Sequence, residues 1–247
     1  MHRHYIETSR IQSPSLTLAR EEARHLQAVL RVRDGEAVEL FDGRGLTAAA
    51  RVAAAGKHAL RLELLAPPTC HPPPACQLVL FACISKAKRM DWTIEKSVEL
   101  GVSRIVPVIS DRTIVRLDED DAGGKTGRWM RVAIEAARQS GATWLPVIDA
   151  PTRLADVGPL VRACAPVFVA ALVPEAQPVR QVLAGWRAGG APPATAGWFV
   201  GPEGDLTPGE LERLVASGAI PVSLGPQVLR AETAAVWGLC VLGAEWR

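Results

Sequence analysis

Hydrophobic and polar positions follow two rhythms along this chain, and the rhythm changes near residue 70. Before that point apolar residues fall at about every second place in short runs. "EAVELFDG" over 36–43 and "HALRLELL" over 58–65 each predict a half-buried strand. "GRG" at 43–45 reads as a hairpin turn. One helix is predicted ahead of them, over "TLAREEARHLQAVLRV", with Thr17 as N-cap and Glu21 and Glu22 in the first turn. Leu26, Val29 and Leu30 give it an apolar stripe, and His25 beside the stripe reads as a partly buried structural histidine. Together these elements predict a small β-barrel-like module with one helix.

After residue 70 the apolar runs become continuous and alternate with helical periodicity. Strand "QLVLFACI" (77–84) precedes helix "RMDWTIEKSVELG" (89–101), and "RIVPVIS" (104–110) precedes "RWMRVAIEAARQSG" (128–141). A further short strand and helix lead to "PVFVAAL" (166–172), followed by a helix over 179–188. "GWFVGPEGD" (197–205) precedes "TPGELERLVASG" (207–218), and "IPVSLG" runs into a last helix that is apolar on nearly every face. Strand–helix alternation with fully apolar strands predicts an α/β domain around a mostly parallel sheet. Between the two rhythms, "LLAPPTCHPPPACQ" (64–77) carries five prolines, which neither continue a helix nor donate to a ladder. The expected organisation is a domain over 1–70, a Pro-rich linker over 71–76 and a second domain over 77–247.

Composition narrows the function classes. The 247 residues are 48% hydrophobic and 22% charged, which suits a globular core and argues against disorder. A net charge of +2 does not by itself announce a nucleic-acid binder, though it leaves room for a local basic patch. With 23 Arg against 5 Lys, the abundance of Arg reads as coding bias. Five cysteines in an irregular pattern without CxxC read as free thiols of a reducing compartment, and "CHPPPAC" is a poor zinc motif, so no metal is expected. "MHRHYIETSR" lacks the apolar stretch of a signal peptide and no apolar run approaches 18 residues. The expectation is a soluble cytoplasmic protein without a membrane partner.

Candidate chemistry gathers where three successive strands end: "AALVPEA" (170–176), "FVGPEGDLTPGEL" (199–211) and "VSLGPQVLRAET" (222–233). In an open α/β sheet ligands bind beyond the carboxyl ends of the strands. Gly201, Gly204 and Gly225 allow close backbone approach or positive φ. Thr207, Pro208 and Glu210 form the signature of a capping box. "GPEGD" is neither GxGxxG nor a P-loop, so apolar loops of this kind suit a flat, largely neutral ligand such as an adenosine. Taken alone, it is also an ordinary strand-to-helix loop.

"FVGPEGDLTPGEL" followed by "LGPQVLRAETAA" closely resembles the RsmE-type 16S ribosomal RNA (uracil-N3)-methyltransferases of the SPOUT superfamily. "SKAKRMDWTIEKSVELGVSRIVPV" (85–108), "RWMRVAIEAARQSG" and "HLQAVLRVRDGEAVELFDG" (25–43) resemble the family in the same order, so the likeness covers nearly the whole chain. The resemblance implies an N-terminal PUA-like RNA-binding β-barrel. It also implies a SPOUT-type trefoil knot in a mostly parallel sheet with helices on both faces, an exception to the unknotted rule. It implies S-adenosylmethionine as cofactor, a homodimer whose subunits complete each other's sites, and 16S rRNA of the small ribosomal subunit as partner. The methyl would go to N3 of the uridine numbered 1498.

On that resemblance the cofactor would contact Leu172 and Val173 of the first loop, Val200, Gly201 and Gly204 of the second, and Val222, Leu224, Gly225, Val228, Leu229 and Thr233 of the third. Arg230 and Glu232 would stand at the sulfonium end and carry the reaction, with Glu203 as a second candidate carboxylate. The competing reading has Glu232 favouring a helix N-terminus and Arg230 pairing with it structurally. RNA would meet Lys86, Lys88 and Arg89 in "SKAKR" and Arg31 and Arg33 in "VLRVRDG", or these are solvated surface. Three positions depart from the family pattern: Ala142 where an Arg is common, Gln227 where Arg or Lys is frequent, and Asp205 for the second glycine of "GPEGG". The alternatives are a SPOUT ribose 2′-O-methyltransferase, a non-catalytic RNA-binding or assembly factor, and a Rossmann-type enzyme, the last disfavoured by the missing glycine fingerprint.

Overall fold

A computed structural model describes residues 2–24, 26–27, 31–56, 59–113, 122–188 and 190–247. The first elements are β1 (His2–Tyr5), α1 (Thr8–Ile11), β2 (Ser15–Ala19), α2 (Arg20–Arg24), β3 (Ala37–Phe41), β4 (Leu46–Ala55), β5 (Ala59–Leu64) and β6 (Thr69–Cys70). They are followed by β7 (Gln77–Cys83), α3 (Ala87–Glu99), β8 (Arg104–Ile109), α4 (Ala122–Ser140), β9 (Val147–Ile148), β10 (Thr152–Arg153) and α5 (Gly158–Ala163). The last are β11 (Val167–Ala170), β12 (Gln177–Pro178), α6 (Val179–Ala188), β13 (Thr195–Val200), α7 (Pro208–Ala216), β14 (Ala219–Ser223) and α8 (Ala231–Trp246). The chain divides into two compact units: Met1–Pro73 with Ile134–Leu145, and Pro74–Ala133 with Pro146–Arg247.

The first unit is built on a sheet of order β1-β3-β4-β5-β2, with β6 on β4. Among the described residues of this unit only β1 and β3 pair in parallel. Leu16 and Leu18 of β2 and Leu60 and Leu62 of β5 alternate inward, as the period-2 pattern requires, onto a core with Val38, Leu40 and Leu26. The predicted turn is present: the Asp42 carboxylate accepts from the backbone N–H of Arg44 and Leu46, while Gly43 and Gly45 take positive φ. Thr17 is not a helix cap. It lies in β2, paired with Arg61, and the helix begins at Arg20, where the Glu22 carboxylate accepts from Ala19 N–H. Strand pairing to β5 outweighs the helical pattern that begins at the same place. His25, Val29 and Leu30 lie outside the described residues. In the 134–145 segment, the Arg3 guanidinium donates to the carbonyls of Ala137 and Ala142 and pairs with Glu39.

The second unit is built on a sheet of order β10-β8-β7-β13-β11-β14-β12, with β9 also on β8, and its described pairings are all parallel. β7 and β13 are buried along almost their whole length, as expected of strands covered on both faces. Phe81 stacks on Phe199 across the neighbouring strands β7 and β13. Helix α8 packs against α3, β7 and β13. It buries one face through Ala234, Ala235, Gly238, Leu239, Leu242 and Trp246. Its opposite face is also apolar yet open, with Cys240 exposed and Trp237 and Val241 half-buried. The helix is therefore not a central core helix within this chain.

Candidate active site

β13, β11 and β14 lie side by side and parallel, so their carboxyl ends share one edge of the sheet. The loops that leave them enclose a cavity of about 240 Å³. Leu172 contributes from the first loop, Val200, Gly201 and Glu203 from the second, and Leu224, Gly225, Val228, Leu229 and Arg230 from the third. A groove of about 820 Å³ adjoins it, sharing Leu224 and Gly225.

Local chemistry holds the second loop from both ends. A Cβ at Gly201 would come within 3.2 Å of Leu206 Cγ, so a side chain there fits only if Leu206 gives by a few tenths of an ångström. Asp205 takes a left-handed φ of 61°, and its Oδ1 accepts from Leu206 N–H at 2.8 Å. Aspartate is among the few non-glycine residues that tolerate this conformation, so the departure from glycine at 205 leaves the turn formed. Arg112 donates to Gly204 O at 2.6 Å. The predicted capping box is complete: Thr207 caps α7, and the buried Glu210 carboxylate returns to Thr207 N–H at 2.8 Å. Glu210 also accepts from Asp111 N–H at 2.8 Å, tying the loop after β8 to the start of α7. In the third loop Gly225 has φ 128°, a conformation that favours glycine. Arg230 is the N-cap of α8, with extended backbone.

Four of the candidate cofactor residues do not line the cavity. Val222 is fully buried in β14 and is not part of the cavity wall. Val173 turns to a neighbouring groove of about 580 Å³ with Leu206 and Leu211. Gly204 faces Arg112, and Thr233 is exposed on the first turn of α8. In exchange, Ala171, Pro202, Gln227 and Ala234 line the cavity, none of them among the cofactor contacts expected from sequence. The signal for Pro202 and Gln227 was present, since both sit inside the two quoted loops.

The charged residues form an arrangement that spacing alone does not announce. Arg89, in the first turn of α3, places Nη1 2.9 Å from Glu203 Oε1 and Nε 3.8 Å from Glu232 Oε1. Glu232 has a side chain 14% exposed, and its Oε2 is buried without a hydrogen-bond partner among the described residues. Among the described residues the ion-pair partner of Glu232 is Arg89, and no ion pair joins it to Arg230. Lys86, the N-cap residue of α3, and Lys88 are exposed beside Arg89. In the first unit Arg31 and Arg33 are exposed.

The cysteines are all free, with Cys70 and Cys240 exposed. Burial pushes the Cys83 thiol up to about 12 and the Cys164 thiol up to about 11. Among the described residues no group of three His, Cys, Asp or Glu could hold a metal ion, and no helix is long and apolar enough to cross a membrane.

Comparison with known proteins gives the site its context. Residues 72–243 match the model of an RNA methyltransferase domain, and residues 18–65 that of an RNA methyltransferase PUA domain. The chain is 31% identical over 228 residues to the ribosomal RNA small subunit methyltransferase E of Mycobacterium bovis, covering 90% of this chain and 84% of that one. It is 26% identical to the Bacillus subtilis enzyme of the same name, covering 99% and 97%. Among solved structures it is similar to a ribosomal RNA small subunit methyltransferase E from Neisseria gonorrhoeae bound to S-adenosyl methionine. That likeness has a TM-score of 0.85 and 30% identity, over 100% of this chain and 98% of that chain.

Proposed function

We infer the function from one premise: this chain belongs to the ribosomal RNA small subunit methyltransferase E family. It is an S-adenosylmethionine-dependent methyltransferase of ribosomal RNA, and the position it modifies is N3 of a uracil in 16S rRNA, the base numbered 1498. The observation that carries this reading is the cavity at the ends of β13, β11 and β14, with Glu203 and Arg230 on its wall and Glu232 linked to it through Arg89.

The residues present fit the cofactor. The groove adjoining the cavity falls in the volume range of small-molecule sites. Val200, Leu224, Val228 and Leu229 offer apolar contact to an adenosine, and Gly201 and Gly225 let backbone N–H and C=O groups approach it. S-adenosylmethionine supplies, when bound, an electrophilic methyl group on a sulfonium.

The protein's part is alignment and proton handling. Uracil N3 carries a proton at neutral pH, and that proton must leave as the new N–C bond forms. Glu232 accepts it through Oε2, a buried acceptor without a partner among the described residues and suited to an N–H donor. Arg230 stabilises the negative charge that develops on O2 or O4. Lys86 and Lys88, with Arg31 and Arg33, contact RNA phosphates. The base reaches the site unstacked from its neighbours.

Three structural readings accompany the function. The SPOUT trefoil knot is supported by strand order: β13 lies between β7 and β11, with β14 on the far side of β11, so three loops crowd one edge. A closed PUA-like barrel is supported by the ten-residue β4, which pairs with β3, β5 and β6 and carries an irregularity between Val52 and Ala54. A homodimer is supported by the open apolar face of α8 around Trp237, Cys240 and Val241.

Methyl incorporation tests the reading. The protein is incubated with labelled S-adenosylmethionine and small subunits lacking the modification, and the digested nucleosides are identified by mass spectrometry. N3-methyluridine is expected. A 2′-O-methyl product overturns the uracil chemistry, and no product on subunits or naked RNA overturns the substrate.

A further inference from the structure

We propose that Arg89 is a positioning residue for the two carboxylates of the site rather than a phosphate contact. This rests on the methyltransferase reading and deepens it. Arg89 sits in a basic stretch with Lys86 and Lys88, and its side chain departs from theirs. Both lysines are exposed, whereas the Arg89 guanidinium is half-buried and turned between Glu203 and Glu232. A guanidinium flanked by two carboxylates has its charge largely balanced, which weakens its pull on a phosphate.

The geometry gives the two carboxylates unequal treatment. Glu203 Oε1 receives a short charge-assisted hydrogen bond from Nη1 at 2.9 Å. Glu232 Oε1 is held at 3.8 Å from Nε, close enough for an ion pair and too far for a hydrogen bond. The Glu232 carboxylate is thereby oriented by charge on one oxygen while its other oxygen is buried and has no partner among the described residues. A buried acceptor without a donor is costly unless something completes it. Arg89 thus fixes Glu232 with one oxygen open, and restrains Glu203 at the cavity wall. The three residues come from the start of α3, the loop after β13 and the first turn of α8, so one side chain sets the relative placement of two loops of the site. An arginine suits this better than a lysine, since its planar fork reaches two acceptors in fixed directions.

The test compares Arg89→Gln, Arg89→Lys and Lys88→Gln in the full-length protein. For Arg89→Gln, kcat for methyl transfer falls by on the order of tenfold to a hundredfold, as expected of a small misplacement. The KM for RNA and the Kd for S-adenosylmethionine, measured by calorimetry, stay within about threefold. Arg89→Lys restores part of kcat. Lys88→Gln shows the opposite split, raising KM and flattening its salt dependence. An Arg89→Gln protein with unchanged kcat and a raised, less salt-dependent KM overturns the proposal in favour of phosphate binding. A crystal structure of Arg89→Gln reads the same point without activity: Glu203 and Glu232 are expected to leave the positions they hold beside Arg89. If both stay in place, the proposal fails whether or not the protein methylates RNA. A wild-type protein inactive on every RNA, with the carboxylates displaced in Arg89→Gln, overturns the methyltransferase reading and leaves the positioning role standing.

Discussion

The indole of Trp198 occupies the space that a Cβ at residue 238 would need: a side chain there would overlap ring atoms Cε2, Cδ2 and Nε1. Gly238 is therefore what lets α8 lie directly on β13. The contact is reinforced one turn earlier on α8, where Trp198 Nε1 donates to Ala234 O at 3.0 Å. Trp198 is fully buried and cannot swing aside.

Replacing Gly238 by Ala is expected to destabilise the protein by about 1–3 kcal/mol, the usual cost of overpacking a core. The gain in helix propensity, roughly 1 kcal/mol, offsets only part of the clash. Since α8 begins beside the cavity, affinity for S-adenosylmethionine should fall with stability. Chemical denaturation and calorimetry measure both, and a Gly238→Ala protein as stable as the parent contradicts the packing argument.

Thr207→Ala removes one half of the capping box on α7. A loss of about 1 kcal/mol is expected for the cap alone. Glu210→Gln goes further, because that buried carboxylate serves Thr207 N–H and Asp111 N–H together. Its unfolding midpoint should drop by more than that of Thr207→Ala, and hydrogen exchange should quicken at Asp111 and Thr207.

Cys240 reports on the open face of α8. Cys70 and Cys240 are exposed, while burial shields Cys76, Cys83 and Cys164 and pushes their thiols up. A monomer should therefore show two rapidly titrating thiols. If a second copy covers α8, one of the two becomes slow at high protein concentration and recovers on dilution. Peptide mapping that finds Cys240 equally fast at every concentration counts against a dimer on this face.

Acid should weaken the link between α6 and α8. The Arg187 guanidinium, hydrogen-bonded to Glu245, holds the Glu245 carboxyl below its ordinary value of 4.5. With the folded value below the unfolded one, this pair stabilises the protein fully above pH 4.5 and stops doing so as pH falls through the folded value. Arg187 is 67% exposed, so the effect is modest and weakened by salt. Glu245→Gln should lower the melting temperature slightly at pH 7, and the difference from wild type should close in acid.

The parallel sheet was legible because β7, β8, β11 and β13 are continuous apolar runs, and the cap on α7 because Thr207, Pro208 and Glu210 stand at diagnostic spacing. β2 was not legible, since "SLTLA" runs into "REEAR" without a breaker and only its pairing to β5 marks the boundary. Two-residue strands such as β9 and β12 carry no periodicity at all. The loops of the candidate site could be read, but not the Arg89–Glu203 contact. Its partners are 114 residues apart, and nothing local in "KAKRM" or "GPEGD" distinguishes a guanidinium that faces a carboxylate from one that faces water.

The strand order also governs when the site can exist. β11 is flanked in the sheet by β13 and β14, both made after it, and the second neighbour of β7 is β13, more than a hundred residues further on. A growing chain therefore carries β7 and β11 as unpaired edges until residues near 200 have been synthesised, and the third loop of the cavity closes later still. Pairings so distant in sequence form slowly, because the entropy of a long loop is lost before any contact repays it. Refolding should be correspondingly slow, and the capacity to bind cofactor should return among the last signals rather than with the first helices.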